Sequence, residues 1–162
     1  MAAQIQKKEL KKPNATTQLT MLLNRLLADT LNLKLQVKQA HWNIKGTNFI
    51  ALHLLFDTIA AEADDHADTL AERVVQLGGV AAGTLEDIAK HSQLEAYPTN
   101  MQHIEQYVKA VAASLRICAD DARAAIDIAD ELGDKVTADL FTGVARGLDK
   151  QRWLVESNLV GK

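Results

Sequence analysis

The sequence predicts an all-α fold, a four-helix bundle with one long crossover that contains a short helix. Three observations lead there. Four long stretches repeat apolar residues at helical spacing. Two of the three connections between them are only a few residues long, whereas residues 78–98 hold Gly78, Gly79, Gly83 and Pro98. The chain of 162 residues, 48% apolar with two prolines, is one domain's worth and long enough to bury a core without staples.

The first helix is expected from Thr17 to Asn43, on Leu19, Leu22, Leu23, Leu26, Leu27, Leu33 and Val37, with no glycine or proline between them. Leu31 and Leu35 fall on a second face, so this helix should touch more than its own bundle. Lys45-Gly46-Thr47-Asn48 reads as a turn ending in an N-cap. Phe49, Leu52, Phe56, Ile59, Ala63, Leu70, Val74 and Leu77 then carry a second helix to Gly78-Gly79, antiparallel to the first because the turn is so short. The crossover follows, with its short helix at Leu85 to Lys90. A third long helix is expected from Asn100 to Ala129 on Ile104, Val108, Val111, Leu115, Ala122 and Ile126. Leu132-Gly133 turns into a fourth, from Asp134 to Asn158, on Val136, Leu140, Val144, Leu148 and Val155. A single long connection, between the second and third helices, matches the ferritin-like bundle and not a simple up-down-up-down one. The domain reading is a flexible lysine-bearing tail over residues 1–16 and the bundle over residues 17–162.

Charge divides the same way. The net charge is -3, but Lys7, Lys8, Lys11 and Lys12 against Glu9 make the first dozen residues basic and leave about -6 on the rest. Cys118 stands alone, so neither an internal disulfide nor a cysteine zinc knuckle is available and a reducing cytoplasm fits. The first residues lack an apolar signal region and no apolar run reaches membrane-spanning length, so neither export by that route nor anchoring is expected.

The chemistry lies in five residues. His41 sits one turn beyond Val37 on the apolar stripe of the first helix and should point inward. On the second helix His53 and Asp57 are four apart, as are Asp68 and Glu72, and the eleven residues from Asp57 to Asp68 make nearly three turns. All four therefore lie along one slowly drifting stripe. Imidazole with carboxylate suits iron or zinc, and carboxylates favour the ferric product of iron oxidation. Any one of the five alone would read as a core histidine or a solvated acid; five together read as ligands.

His53 and Asp68 are fifteen residues apart, roughly 22 Å along a helix, so one chain cannot bring them to one metal. A second copy packed antiparallel about a two-fold axis near Glu62 and Ala63 would bring the 53/57 end of one helix to the 68/72 end of the other. Ala60, Ala61, Ala63 and Ala67 surround that point and are expected to let the helices approach closely. Such a dimer has two equivalent sites, each with His41, His53 and Asp57 from one subunit and Asp68 and Glu72 from its partner. A within-subunit di-iron site would need Glu-x-x-His on two helices, and no glutamate here has a histidine three residues on.

The run His41-Trp42-Asn43-Ile44-Lys45-Gly46, continuing through His53, Asp57, Asp68 and Glu72 to Gln76-Leu77-Gly78-Gly79, resembles the signature of the family called DNA-binding protein from starved cells, Dps. Leu148-Asp149-Lys150 with Trp153 and Glu156 extends the resemblance over nearly all the chain beyond the tail. It implies a dodecameric hollow shell that oxidises ferrous iron, preferably with hydrogen peroxide, stores ferric mineral inside and protects DNA, with all five ligand positions matched. Trp42 is a candidate to pack against the site and intercept stray oxidising equivalents, and equally an interfacial core aromatic. Asp139 resembles a family pore carboxylate, among acids that are mostly a solvated face. His66, His91 and His103 receive no role. Lys7, Lys8, Lys11 and Lys12 are the candidate DNA contacts, weak singly but multiplied on a shell, which would make the protein nucleoid-associated. A purely architectural shell with a vestigial site, and a helical adaptor bundle with incidental acids, are the competing readings.

Overall fold

The computed structural model describes residues 13–159. Five helices follow one another: α1 (Ala15–Asn43), α2 (Phe49–Gln76), α3 (Leu85–His91), α4 (Ile104–Glu131) and α5 (Lys135–Glu156), with no strand among the described residues. α1 packs along α2 and α4 along α5; α1 then meets α4, α2 meets α5, and α3 rests on α1. Two antiparallel hairpins thus close on each other, joined by the long crossover. Their shared core holds Leu23, Leu33, Val37, Phe56, Leu70, Leu115 and Phe141, all fully buried. Each such side chain contributes on the order of 1.5–3 kcal/mol of transfer free energy.

Local signals decide where the helices begin and end. α1 starts at Ala15, two residues before the apolar pattern does, because the Asn14 side chain accepts the Thr17 N–H at 2.8 Å. The turn into α2 needs two positive φ values, supplied by Gly46 at 115° and Asn48 at 64°. In that conformation Asn48 holds the N-cap position without a side-chain capping bond. Gly78 and Gly133, each at φ 80°, end α2 and α4. The start of α4 lies at Ile104, not near Asn100: the Gln106 side chain accepts the N–H groups of Gln102 and His103, both at 2.9 Å, and stops the helix there. In α5 the expected core position Val136 is exposed, and Phe141 fills the core in its stead.

α1 also carries a polar seam that apolar periodicity does not reveal. Asn24 accepts the N–H of Ala82 at 2.9 Å and donates to the Val80 carbonyl at 3.0 Å. Asp29, almost wholly buried, accepts from the Ser92 hydroxyl and the Gln93 N–H. Gln36 donates to the Glu95 carbonyl at 2.9 Å and accepts from the Ser114 hydroxyl at 2.7 Å. Both ends of the crossover are therefore fastened to α1, which seats residues 80–83 beside the outer face of α2.

Candidate metal centre

His41 and His53 face each other across the α1–α2 hairpin, and each is held by the other's backbone. His41 Nδ1 lies 2.8 Å from the His53 carbonyl oxygen and His53 Nδ1 lies 2.9 Å from that of His41. A carbonyl can only accept, so both Nδ1 atoms donate, and the neutral tautomer this selects keeps the lone pair of each Nε2 for a ligand. The rings stack with centroids 3.7 Å apart at 19°. Fixing a histidine's orientation through the nitrogen that is not the ligand is how metal-binding imidazoles are set. The rigid hairpin thus aims two donors from neighbouring helices together.

One turn beyond His53, Asp57 stands exposed and takes a 2.7 Å hydrogen bond from Lys38 Nζ. That bond, with the charge of Lys38 and the fields of His41 and His53, holds the Asp57 carboxyl below the usual carboxylate range. Asp68 and Glu72 lie at the far end of the same outer face. Asp68 lines a depression of about 440 Å³ shared with Asp64, Asp65, Leu31 and Ala81; Glu72 lies beside Ala81 and Val75. α2 is unbroken from Phe49 to Gln76, so the separation of the two pairs is that of a straight helix. Among the described residues, no three His, Cys, Asp or Glu side chains gather into a group able to hold a metal.

The same face of α2 exposes Ile50, Leu54 and Val75, at 63%, 59% and 60% of their area, and Leu35 of α1 and Leu85 of α3 are exposed as well. His53 and Glu72, Asp57 and Asp68, and Ile50 and Val75 are each equidistant from a point midway between Glu62 and Ala63. A two-fold axis through that point would set each ligand pair against its complement and seat apolar residue on apolar residue. One expectation is corrected: Ala60, Ala63 and Ala67 are only 2–3% exposed and belong to the core stripe of this chain. They cannot line a seam between copies; of the four alanines, Ala61 alone is on the outer face.

Residues 20–160 match the family described as ferritin-like domain. The DNA protection during starvation protein of Agrobacterium fabrum is 45% identical over 149 residues, which cover 92% of each chain. The chain belongs to the Dps family. Among solved structures, Dps from Microbacterium arborescens in the high iron form superposes with a TM-score of 0.85 at 33% identity, covering 93% of this chain and 98% of that one. The Dps protein from Vibrio cholerae, described as a member of a broad superfamily of ferritin-like diiron-carboxylate proteins, gives 0.83 at 26% identity, covering 90% and 91%.

In this Dps chain Trp42 is 65% exposed, and what meets its ring is Lys38, with Nζ 5.6 Å from the centroid. Asp139 is exposed on α5. Several other acids of α4 and of the turn into α5 are ion-paired within the chain: Asp120 with Arg123, Asp121 with Arg25, Asp130 with Lys135, and Asp134 with Arg73. Lys7, Lys8, Lys11 and Lys12 lie outside the described residues. The residue that sequence reasoning passed over is Lys38. Its signal was available, since 38 and 41 are three apart on one helix and Lys38 falls beside the ligand stripe.

Proposed function

We propose that this Dps chain is a ferroxidase and iron-storage subunit whose oxidation site is completed by a second copy. His41, His53 and Asp57 would bind iron from one side and the partner subunit's Asp68 and Glu72 from the other. The observation that carries this reading is the reciprocal pair of histidine-to-carbonyl bonds, which sets two imidazoles side by side although no three His, Cys, Asp or Glu among the described residues form a group able to hold a metal within one chain. The donor set, two imidazoles with three carboxylates, suits iron and favours its ferric state. Two ferrous ions give one electron each to a single hydrogen peroxide, which takes up two protons and leaves as two waters. Passing the electrons as a pair avoids hydroxyl radical.

Ferric mineral would collect inside a hollow, dodecameric shell, with Asp139 among the carboxylates that draw cations through its pores. The relatives' name, DNA protection during starvation protein, supports the reading that this chemistry serves to keep oxidant and free iron from DNA in the cytoplasm. The lysine-bearing tail would hold DNA against the shell. Among the described residues no helix is long and apolar enough to cross a membrane.

Stopped-flow measurement of ferrous oxidation with peroxide tests the proposal. The protein should accelerate the reaction over buffer, and His53→Ala should slow it by roughly tenfold or more. A rate equal to that of buffer would leave only an architectural shell.

A further inference from the structure

We infer that Glu62, His66 and Gln151 form a separate cation site where α2 meets α5, able to hold one divalent transition-metal ion within a single chain. It lies away from the outer face of α2 and needs no residue of a partner subunit.

Glu62 and His66 are four apart on α2 and share one face of it. A Cβ at Gly147 of α5 would lie 2.6 Å from His66 Nε2 and 3.1 Å from Glu62 Oε1, so both atoms border the same small space, which a glycine leaves open. One turn further along α5, Gln151 reaches the same carboxylate, its Nε2 donating to Glu62 Oε2. Gln151 is only 3% exposed. Two atoms of this group, His66 Nε2 and Gln151 Oε1, are buried with no hydrogen-bond partner among the described residues. Stranded polar atoms of this kind are costly and call for a ligand. Turning the Gln151 amide over gives no relief, because its oxygen would then face a carboxylate that can only accept. A cation among them satisfies the imidazole lone pair, the carboxylate and the amide oxygen together. No third His, Cys, Asp or Glu joins the group, so the amide oxygen is the third donor. Asp65 lies close enough for its charge to act on the His66 ring, and it adds to the attraction for a cation. An imidazole donor selects ions such as Co(II), Zn(II) or Fe(II) over Mg(II), which takes oxygen ligands and keeps its waters.

The test is Co(II) titration of the intact, metal-free oligomer carrying His53→Ala and Glu72→Ala together, which disables the shared centre, followed by calorimetry and by the d–d absorption of the bound ion. One Co(II) per chain should still bind, and excess Mg(II) should not displace it. Adding His66→Ala or Glu62→Gln should weaken this binding at least about tenfold, the least that losing even an outer partner costs a metal site. Gly147→Ala should block it by filling the space. His91→Ala, which removes an exposed histidine outside the group, should titrate unchanged. Light scattering checks that each variant stays assembled. His66→Ala in the otherwise wild-type oligomer should also lose one Co(II) per chain, which reads the same site without the background substitutions. The inference is overturned if wild type and His66→Ala bind equal amounts of Co(II), if the background oligomer binds none, or if His91→Ala loses as much as His66→Ala. None of these results touches the shared centre.

Discussion

At the scale of single residues, geometry separates side chains that the sequence ranks alike. His41, His53 and His66 are all histidines near a core stripe, yet only the first two have an Nδ1 tied to a carbonyl. His66 Nε2 is buried without a partner, and burial pushes its pKa down against the pull of Glu62 and Asp65. The five proposed ligand positions stand out in the sequence because two pairs on α2 repeat at four residues and His41 sits on the apolar stripe of α1. Lys38 gives a weaker signal, its spacing from His41, because a lysine near carboxylates is the ordinary state of a helix surface and only the folded hairpin shows which oxygen it holds. A different carboxylate, Asp134, tests how such contacts stabilise the chain. Burial pushes its carboxyl up, but hydrogen bonds from Thr137 and Arg73 outweigh this and hold it below its ordinary value of 3.8. A carboxyl depressed on folding stabilises fully above the ordinary value and loses that contribution as pH falls through the folded one. Asp134→Asn, which keeps the cap but leaves the mostly buried Arg73 without its anion, should cost about 1–3 kcal/mol at neutral pH in urea unfolding. The gap from wild type should narrow below about pH 4.

At the scale of elements, periodicity located every helix, and the misplacements have separate causes. The beginnings of α1 and α4 were decided by single side chains, Asn14 and Gln106, that apolar spacing does not weigh. Ala60, Ala63 and Ala67 were assigned to the wrong surface because small residues serve a close seam and a tight core equally well. The α1 polar seam escaped notice because Asn24, Asp29 and Gln36 read as a solvated face until the crossover covers them. Where α2 meets α5, Gly147 looks like a weak point in a helix, yet a Cβ there would lie 2.6 Å from His66 Nε2 and 3.1 Å from Glu62 Oε1. Gly147→Ala is accordingly expected to destabilise by about 1–2 kcal/mol despite alanine's better helix propensity. In a His66→Ala background the same change should stabilise, by up to about 1 kcal/mol. Thermal unfolding of the four proteins measures both, and a Gly147→Ala that stabilises the unmodified chain would show that His66 does not fill that space.

At the scale of the whole molecule, charge and exposed apolar area point to assembly. The outer face of α2 leaves Ile50, Leu54 and Val75 in water, more than a chain working alone should tolerate on one helix face. The body carries about -6 and would repel DNA, so the proposed binding would depend on the lysines of the first dozen residues, repeated over many copies. Removing residues 1–12 should abolish gel retardation of DNA at low salt; retardation that survives the truncation would assign DNA binding to another surface. Fold and family were legible from the chain because both rest on spacing along continuous helices. The seam between copies is less so, since it depends on which face of α2 the partner covers.

The sharing of one site by two chains is measured most directly by mixing His53→Ala with Glu72→Ala during refolding and assaying ferrous oxidation. Each variant alone spoils both sites of its dimer. In a mixed dimer one site carries both lesions and the other none, so equal random mixing should restore about a quarter of wild-type activity. A mixture as inactive as its components would contradict the account.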